Sequence, residues 1–266
     1  MEVTKMKPGD RHYKAYVGPP TQYDVMGATQ FRLLCTLGLR ADHTVLDIGC
    51  GSLRAGRLFI GYLDPERYFG IDPNQWLIEE AIENQVGKDL ISLKKPRFDY
   101  NSEFNSDIFS QQFDYIVAQS IFSHTGSDII STALNNFHGS LKADGLVAAT
   151  FVEGISDFEG EGWIYPECVN YRRGKIDSMA KEAGFSVLRL PWYHPSQTWY
   201  LLAKDKDRLP NRVMLRQLGG AILFDPEFEN SWKQSKRVQS NIMNFVRQAL
   251  PEPIKKSLKK MLKEGD

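Results

Sequence analysis

The segment Val45-Leu46-Asp47-Ile48-Gly49-Cys50-Gly51 constrains this chain more than any other. A short apolar run ends in two glycines, and an amphipathic stretch from Arg54 to Tyr62 follows. Glycines after a first strand let the backbone turn sharply and approach a ligand closely. The segment therefore predicts a strand, a ligand-binding turn and a helix. A second strand, Arg67 to Ile71, leads into Asp72, 25 residues after Asp47. An acidic residue there can accept hydrogen bonds from both ribose hydroxyls of a nucleoside cofactor.

Two cofactor classes use this layout. A dinucleotide needs Gly-x-Gly-x-x-Gly facing its pyrophosphate. Here the glycine after Gly49 and Gly51 is Gly56, two places late. A carboxylate at Asp47 would repel a pyrophosphate, whereas it can help hold the cationic amino group of an amino-acid cofactor, directly or through water. The spacing disfavours a nicotinamide-dependent oxidoreductase.

Alternating strands and helices extend the pattern. Tyr23 to Leu39 reads as a helix, Thr44 to Ile48 as the first strand, Asn74 to Asn84 as a helix and Pro96 to Tyr100 as the third strand. Phe113 to Ala118 is the fourth strand, Asp128 to Leu141 a helix, Ala143-Asp144-Gly145 its turn and Leu146 to Phe151 the fifth strand. Tyr171 to Ala183 is helical, and Phe185 to Leu190 and Thr198 to Ala203 are strands. The polar connection His194 to Gln197 joins those last two as an antiparallel edge pair. The expected fold is α/β: a doubly wound, Rossmann-like, seven-stranded sheet, mostly parallel, with an antiparallel edge hairpin and C-terminal helices. Residues 1–43 form an N-terminal lid segment and helix, 44–204 the core, and 205–266 a helical appendage with helices at Leu209–Leu218, Ser231–Leu250 and Ile254–Lys263.

At this level the chain resembles the class I S-adenosylmethionine-dependent methyltransferases. The resemblance rests on Val45 to Gly51, Phe69-Gly70-Ile71-Asp72, Phe113-Asp114-Tyr115-Ile116-Val117 and Leu141-Lys142-Ala143-Asp144-Gly145-Leu146, and it spans roughly Thr44 to Lys204. The family often has a third glycine where Leu53 stands. The resemblance implies S-adenosyl-L-methionine as cofactor. Its first-motif loop (Asp47, Gly49, Cys50, Gly51) would embrace the methionine part, and Asp72, followed by Pro73, would hold the ribose. Asp99 or Asn101, after the third strand, would meet the adenine amino group, with Asp99 preferred. Gln119, at the end of the fourth strand, joins this set. Tyr16 and Tyr23, in and beside the aromatic segment His12 to Pro20, are candidates for a lid that excludes water.

Methyl transfer is an in-line displacement at a sulfonium that is already a good leaving group. The protein aligns the nucleophile and, where needed, removes its proton. His124 follows the fourth strand, and histidine suits proton transfer near neutrality. In the family a histidine at this place also serves only to pack beside the cofactor. Glu153, past the fifth strand, and His194, between the last two strands, are the other candidates. Arg32 and Arg54 are candidates to meet a carboxylate.

Other chemistries are disfavoured. The fourth strand continues as Ala118-Gln119-Ser120-Ile121, not the acid-or-amide-Pro-Pro-aromatic motif of base amino-methylation, and it lacks clustered carboxylates for a metal. Lys plus Arg equals Asp plus Glu at 33 each, so no general attraction to nucleic acid is expected. Three cysteines without regular spacing and no bilayer-length apolar run suggest a soluble, cytoplasmic protein. The expected acceptor is a small molecule or glycan, methylated at oxygen. The rival reading is a catalytically inactive cofactor-binding module that regulates or interacts. The lysine-rich stretch Ile254 to Lys263 reads first as a solvated terminal helix and second as a membrane-surface element. A homo-oligomer is compatible with the sequence.

Overall fold

The computed structural model describes residues 2–218. The strands are β1 (Val45–Ile48), β2 (Tyr68–Ile71), β3 (Arg97–Asp99), β4 (Phe113–Ala118), β5 (Leu141–Phe151), β6 (Ser186–Arg189) and β7 (Thr198–Ala203). They form one seven-stranded sheet in the order β3-β2-β1-β4-β5-β7-β6. The first five pair in parallel, and β7 runs antiparallel to both β5 and β6. This is the expected doubly wound sheet with an antiparallel edge pair.

The helices are α1 (Tyr13–Tyr16), α2 (Tyr23–Thr36), α3 (Gly56–Tyr62), α4 (Gln75–Ala81), α5 (Lys88–Lys94), α6 (Ser127–Ser140), α7 (Arg173–Glu182) and α8 (Arg212–Gln217). Residues of the central strands point alternately to two cores. Leu46, Ile116, Val147 and Leu202 pack with Leu134 and Phe137 of α6 and with Ile176 of α7. Val45, Val117, Ala148 and Leu201 pack with Leu33 of α2, Phe59 of α3 and Ile78 of α4. Burial on both faces explains why these strands read as nearly continuous apolar runs.

Some boundaries differ from the sequence pattern. The predicted turn at Ala143-Asp144-Gly145 lies inside β5, which begins directly after α6. Its pairing with β4 shifts register between Phe113 and Tyr115, so Lys142 to Gly145, which include the turn, bulge from the ladder. Predicted helix Leu209–Leu218 is shortened to α8, capped by the Asn211 side chain, which accepts from Val213 N and Met214 N. Helix α5 was not evident in the sequence because it is short and none of its residues is fully buried. Predicted helices Ser231–Leu250 and Ile254–Lys263 lie outside the described residues. No helix among the described residues is long and apolar enough to cross a membrane.

Candidate functional site

Strand order reverses between β1 and β4, and in open α/β sheets ligands bind outside the carboxyl ends of the strands at such a point. A cavity of about 750 Å³ opens there. It lies within the size range of small-molecule sites.

One end is built by the glycine loop. Gly49 and Gly51 have φ of 66° and 52°, and both line the cavity. A Cβ on Gly49 would stand 2.0 Å from Ile121 Cδ1, so that side chain would have to turn aside, and the left-handed φ itself disfavours any other residue. Leu53, at the place of the family's third glycine, also adopts the left-handed conformation, with φ 53°. That costs about 1–2 kcal/mol. Its completely buried side chain offsets the cost, since burying a leucine is worth about 1.5–3 kcal/mol. The displaced glycine, Gly56, has a packing role: a Cβ there would lie 2.5 Å from the Tyr68 hydroxyl.

Asp72 lines the same end. Its Oδ2 accepts from Gly51 N at 2.8 Å, and its Oδ1 accepts from Asn74 N and Nδ2 at 2.8 and 3.1 Å. Burial raises its pKa, opposed by these hydrogen bonds. One carboxylate thus fixes the loop after β1 and the entry to α4 while facing the cavity. Pro73 and Asn101 line the wall beside it, whereas Asp99 does not. Asp99 Oδ1 instead accepts from Asn101 N and Nδ2, at 2.9 and 2.6 Å, and so orients Asn101. The preference for Asp99 over Asn101 as the adenine contact is reversed on this geometry.

Three further expectations change. Asp47 is buried behind the loop rather than on the wall, with Oδ2 accepting from the Tyr68 hydroxyl at 2.8 Å. Burial raises its pKa to about 7, and the Tyr68 hydrogen bond and the nearby Arg54 charge oppose the rise. Cys50 is also buried away from the wall, its side chain packed where a Cβ on Gly70 would otherwise stand. Tyr23 is buried in α2, and its hydroxyl donates to Ser52 O at 2.7 Å. It braces the glycine loop from behind and is not part of a lid.

Tyr16 does line the cavity, with Val17 and Gly18 beside it. Two other elements hold this segment. Arg54 Nη1 donates to Val17 O at 2.9 Å, and the Tyr165 hydroxyl donates to Tyr16 O at 3.0 Å. Arg54 and Asp72 are the ionised residues on the wall among the described residues, and both stand at the glycine-loop end.

The other end contains His124, His194, Gln119 and Gln197. His124 Nδ1 lies 2.6 Å from Glu167 O, so this nitrogen carries a proton and donates it, which in the neutral tautomer leaves the lone pair on Nε2. His194 has the opposite tautomer. Its Nδ1 accepts from Ser196 N and Gln197 N at 3.3 and 3.0 Å, which leaves the proton on Nε2. Burial lowers its pKa to about 3, helped by the Arg54 charge. His194 is therefore a neutral hydrogen-bond donor, not the general base considered from sequence. Glu153 is not on the wall: its Oε1 accepts from Arg189 Nε at 2.7 Å and from the Tyr200 hydroxyl at 2.5 Å. Burial raises its pKa, but these bonds outweigh that and hold the carboxyl below its usual range. It is an ion-pair residue of the sheet edge.

Apart from Glu153, nothing in the sequence pattern singled out the segment from 152 to 172. It is stitched to the loop after β4 by Ile164 N to His124 O (2.9 Å), Val169 N to Ser123 O (2.8 Å) and the Tyr171 hydroxyl to Thr125 O (2.8 Å). It contributes Trp163, Tyr165, Pro166 and Cys168 to the wall. Its signal was available: a long, aromatic connection without periodicity between β5 and α7, of the kind that carries function.

Residues 46–147 match the family model described as a methyltransferase domain. Among solved structures, the fold is similar to magnesium protoporphyrin IX methyltransferase from Synechocystis PCC 6803, with TM-score 0.51, 15% identity, and coverage of 69% of this chain and 83% of that one. A methyltransferase from Clostridium acetobutylicum ATCC 824 gives TM-score 0.51 at 17% identity, over 68% and 92% of the two chains. The glycopeptide N-methyltransferase MtfA, complexed with S-adenosylmethionine, gives 0.53 at 9% identity, over 67% and 94%. Residues 46–147 thus match a methyltransferase-domain model, and the sheet topology is the fold of these S-adenosylmethionine-dependent methyltransferases.

Proposed function

We propose that the protein transfers the methyl group of S-adenosylmethionine to an oxygen of a small molecule or glycan. The carrying observation is one cavity with two chemically different ends: Asp72, Arg54 and the glycine loop at one, and a neutral polar wall around His124 at the other. The residues present fit the cofactor. Asp72 retains acceptor capacity for ribose hydroxyls, Asn101 on the wall offers an amide for the base, and Arg54, with one hydrogen bond to Val17 O, has N–H groups left for the methionine carboxylate. Asp47 acts from behind the loop, through the field it sets at Arg54.

When bound, the cofactor would supply an electrophilic sulfonium methyl with a neutral thioether as its leaving group. His124 holds its lone pair at Nε2 and takes the hydroxyl proton there, while Glu167 O fixes the ring through Nδ1. Tyr16 and Val17, tied to Tyr165 and Arg54, cover the cavity and exclude water. The same reading places the enzyme in the cytoplasm, in keeping with the free thiols of Cys35, Cys50 and Cys168.

Calorimetry with S-adenosylmethionine and NAD tests the cofactor assignment. Saturable binding of S-adenosylmethionine alone is expected, and binding of NAD alone would reject it.

A further inference from the structure

We infer that the methyl acceptor is a neutral ring bearing several hydroxyl groups, such as an uncharged pyranoside, selected by Gln119, His194 and Gln197. This rests on the methyl-transfer reading above and names the substrate class of that site.

The argument begins at His194. Its Nε2–H faces the side-chain amide of Gln119 at 3.4 Å, and a hydrogen bond there requires the amide oxygen as the facing atom. In the structure Gln119 Nε2 faces His194 and Oε1 is the atom buried without a partner; turning the amide to meet the ring N–H puts its NH2 in that place, in a side chain only 7% exposed that lines the cavity. Gln197 is fixed the other way. Its Nε2 donates to Ser120 Oγ at 3.0 Å and to Ser123 Oγ at 3.4 Å, so its unpartnered buried atom is the carbonyl oxygen. The wall therefore offers one unused donor and one unused acceptor, linked through His194.

A hydroxyl both donates and accepts, so it satisfies both groups. An ammonium only donates and leaves the Gln119 NH2 unpaired. A carboxylate or phosphate only accepts and leaves the Gln197 carbonyl unpaired. Such unpaired buried groups are what reject a wrong ligand. Arg54 is the cationic residue on the wall among the described residues; its charge reaches His194, but the methyl-transfer reading commits it to the methionine carboxylate, so an anionic acceptor would have no counter-ion of its own. A phenol has a single hydroxyl, which the transfer itself uses at His124, and the two amides would remain unsatisfied. A ring with several hydroxyls leaves others for them. Trp163, stacked on Phe104 at 5.8 Å, and Tyr165, 5.1 Å from the His124 ring, also line the cavity and are aromatic surface of the kind that the C–H face of such a ring packs against.

The test supplies the full chain with S-adenosylmethionine and measures release of the demethylated cofactor with three sets of probes: methyl hexopyranosides and neutral oligosaccharides, the corresponding uronates and hexose phosphates, and hexosamines together with simple phenols. Turnover confined to the neutral pyranosides is expected. Gln197→Met should then raise the acceptor KM about tenfold, the loss of one neutral hydrogen bond, with kcat and the cofactor Kd little changed. Gln119→Glu should lower activity on neutral pyranosides and raise it on hexosamines. Preferred turnover of charged probes or phenols overturns the inference, as does cofactor binding without turnover of any pyranoside, or a Gln197→Met enzyme with unaltered KM. Failure of the wild-type chain to bind S-adenosylmethionine would overturn the underlying methyl-transfer reading as well.

Discussion

The Tyr68 hydroxyl donates to Oδ2 of Asp47 at 2.8 Å, joining β2 to β1 beneath the glycine loop. Gly56 makes room for it, since a Cβ there would overlap the hydroxyl. The acid of the first motif is thereby part of a buried pair, and its ionisation is coupled to folding.

Burial raises the Asp47 pKa from 3.8 to about 7, so the folded state holds this proton more tightly than the unfolded chain does. The contribution to stability is full below about pH 4 and is lost as pH rises through about 7, with a slope of at most about 1.4 kcal/mol per pH unit. Asp47→Asn keeps an acceptor for Tyr68 and removes the titration. Denaturant unfolding between pH 4 and 8 should show the wild type losing stability relative to this variant as pH rises. Parallel curves would count against the buried proton.

Asp72→Ala should weaken S-adenosylmethionine binding by about 1–3 kcal/mol, the scale of lost hydrogen bonds to buried hydroxyls. It also removes the acceptor for Gly51 N, so Asp72→Asn, which retains one carbonyl, should fall between the two. Titration calorimetry measures both, and an unchanged Kd would refute the ribose contact.

His124→Gln should reduce kcat by about 10²–10⁴ while leaving the cofactor Kd close to that of the wild type, because the lost function is proton removal. Single-turnover kinetics separates this from binding. A rise in cofactor Kd at constant kcat would instead make His124 a packing residue.

Gly27→Ala probes the support of the loop. The new Cβ would lie 2.3 Å from Arg54 O, which is backbone and cannot turn aside. Overpacking of this kind costs about 1–3 kcal/mol, more than the gain in helix propensity of about 1 kcal/mol. Thermal unfolding should show a lower Tm, although the exposed-helix rule alone predicts the opposite sign.

The sequence by itself determined the sheet and the cofactor end of the site. Strand residues buried on both faces, helices with one apolar stripe and glycines at a sharp turn are local patterns, and Asp72 follows its strand directly. The tertiary structure decided the rest. Gln119 and His194 are 75 residues apart, and the tautomer of His194 depends on two backbone N–H groups of its own turn. Glu153 lost its candidacy to Arg189 and Tyr200 on neighbouring strands, and Asp47 left the wall for Tyr68. The segment from 152 to 172 has no period to read, because its conformation is held by hydrogen bonds to the loop after β4 rather than by its own repeat. Whether a polar side chain faces a ligand or is already satisfied depends on which distant groups the fold brings within about 3 Å of it, and that information is not local.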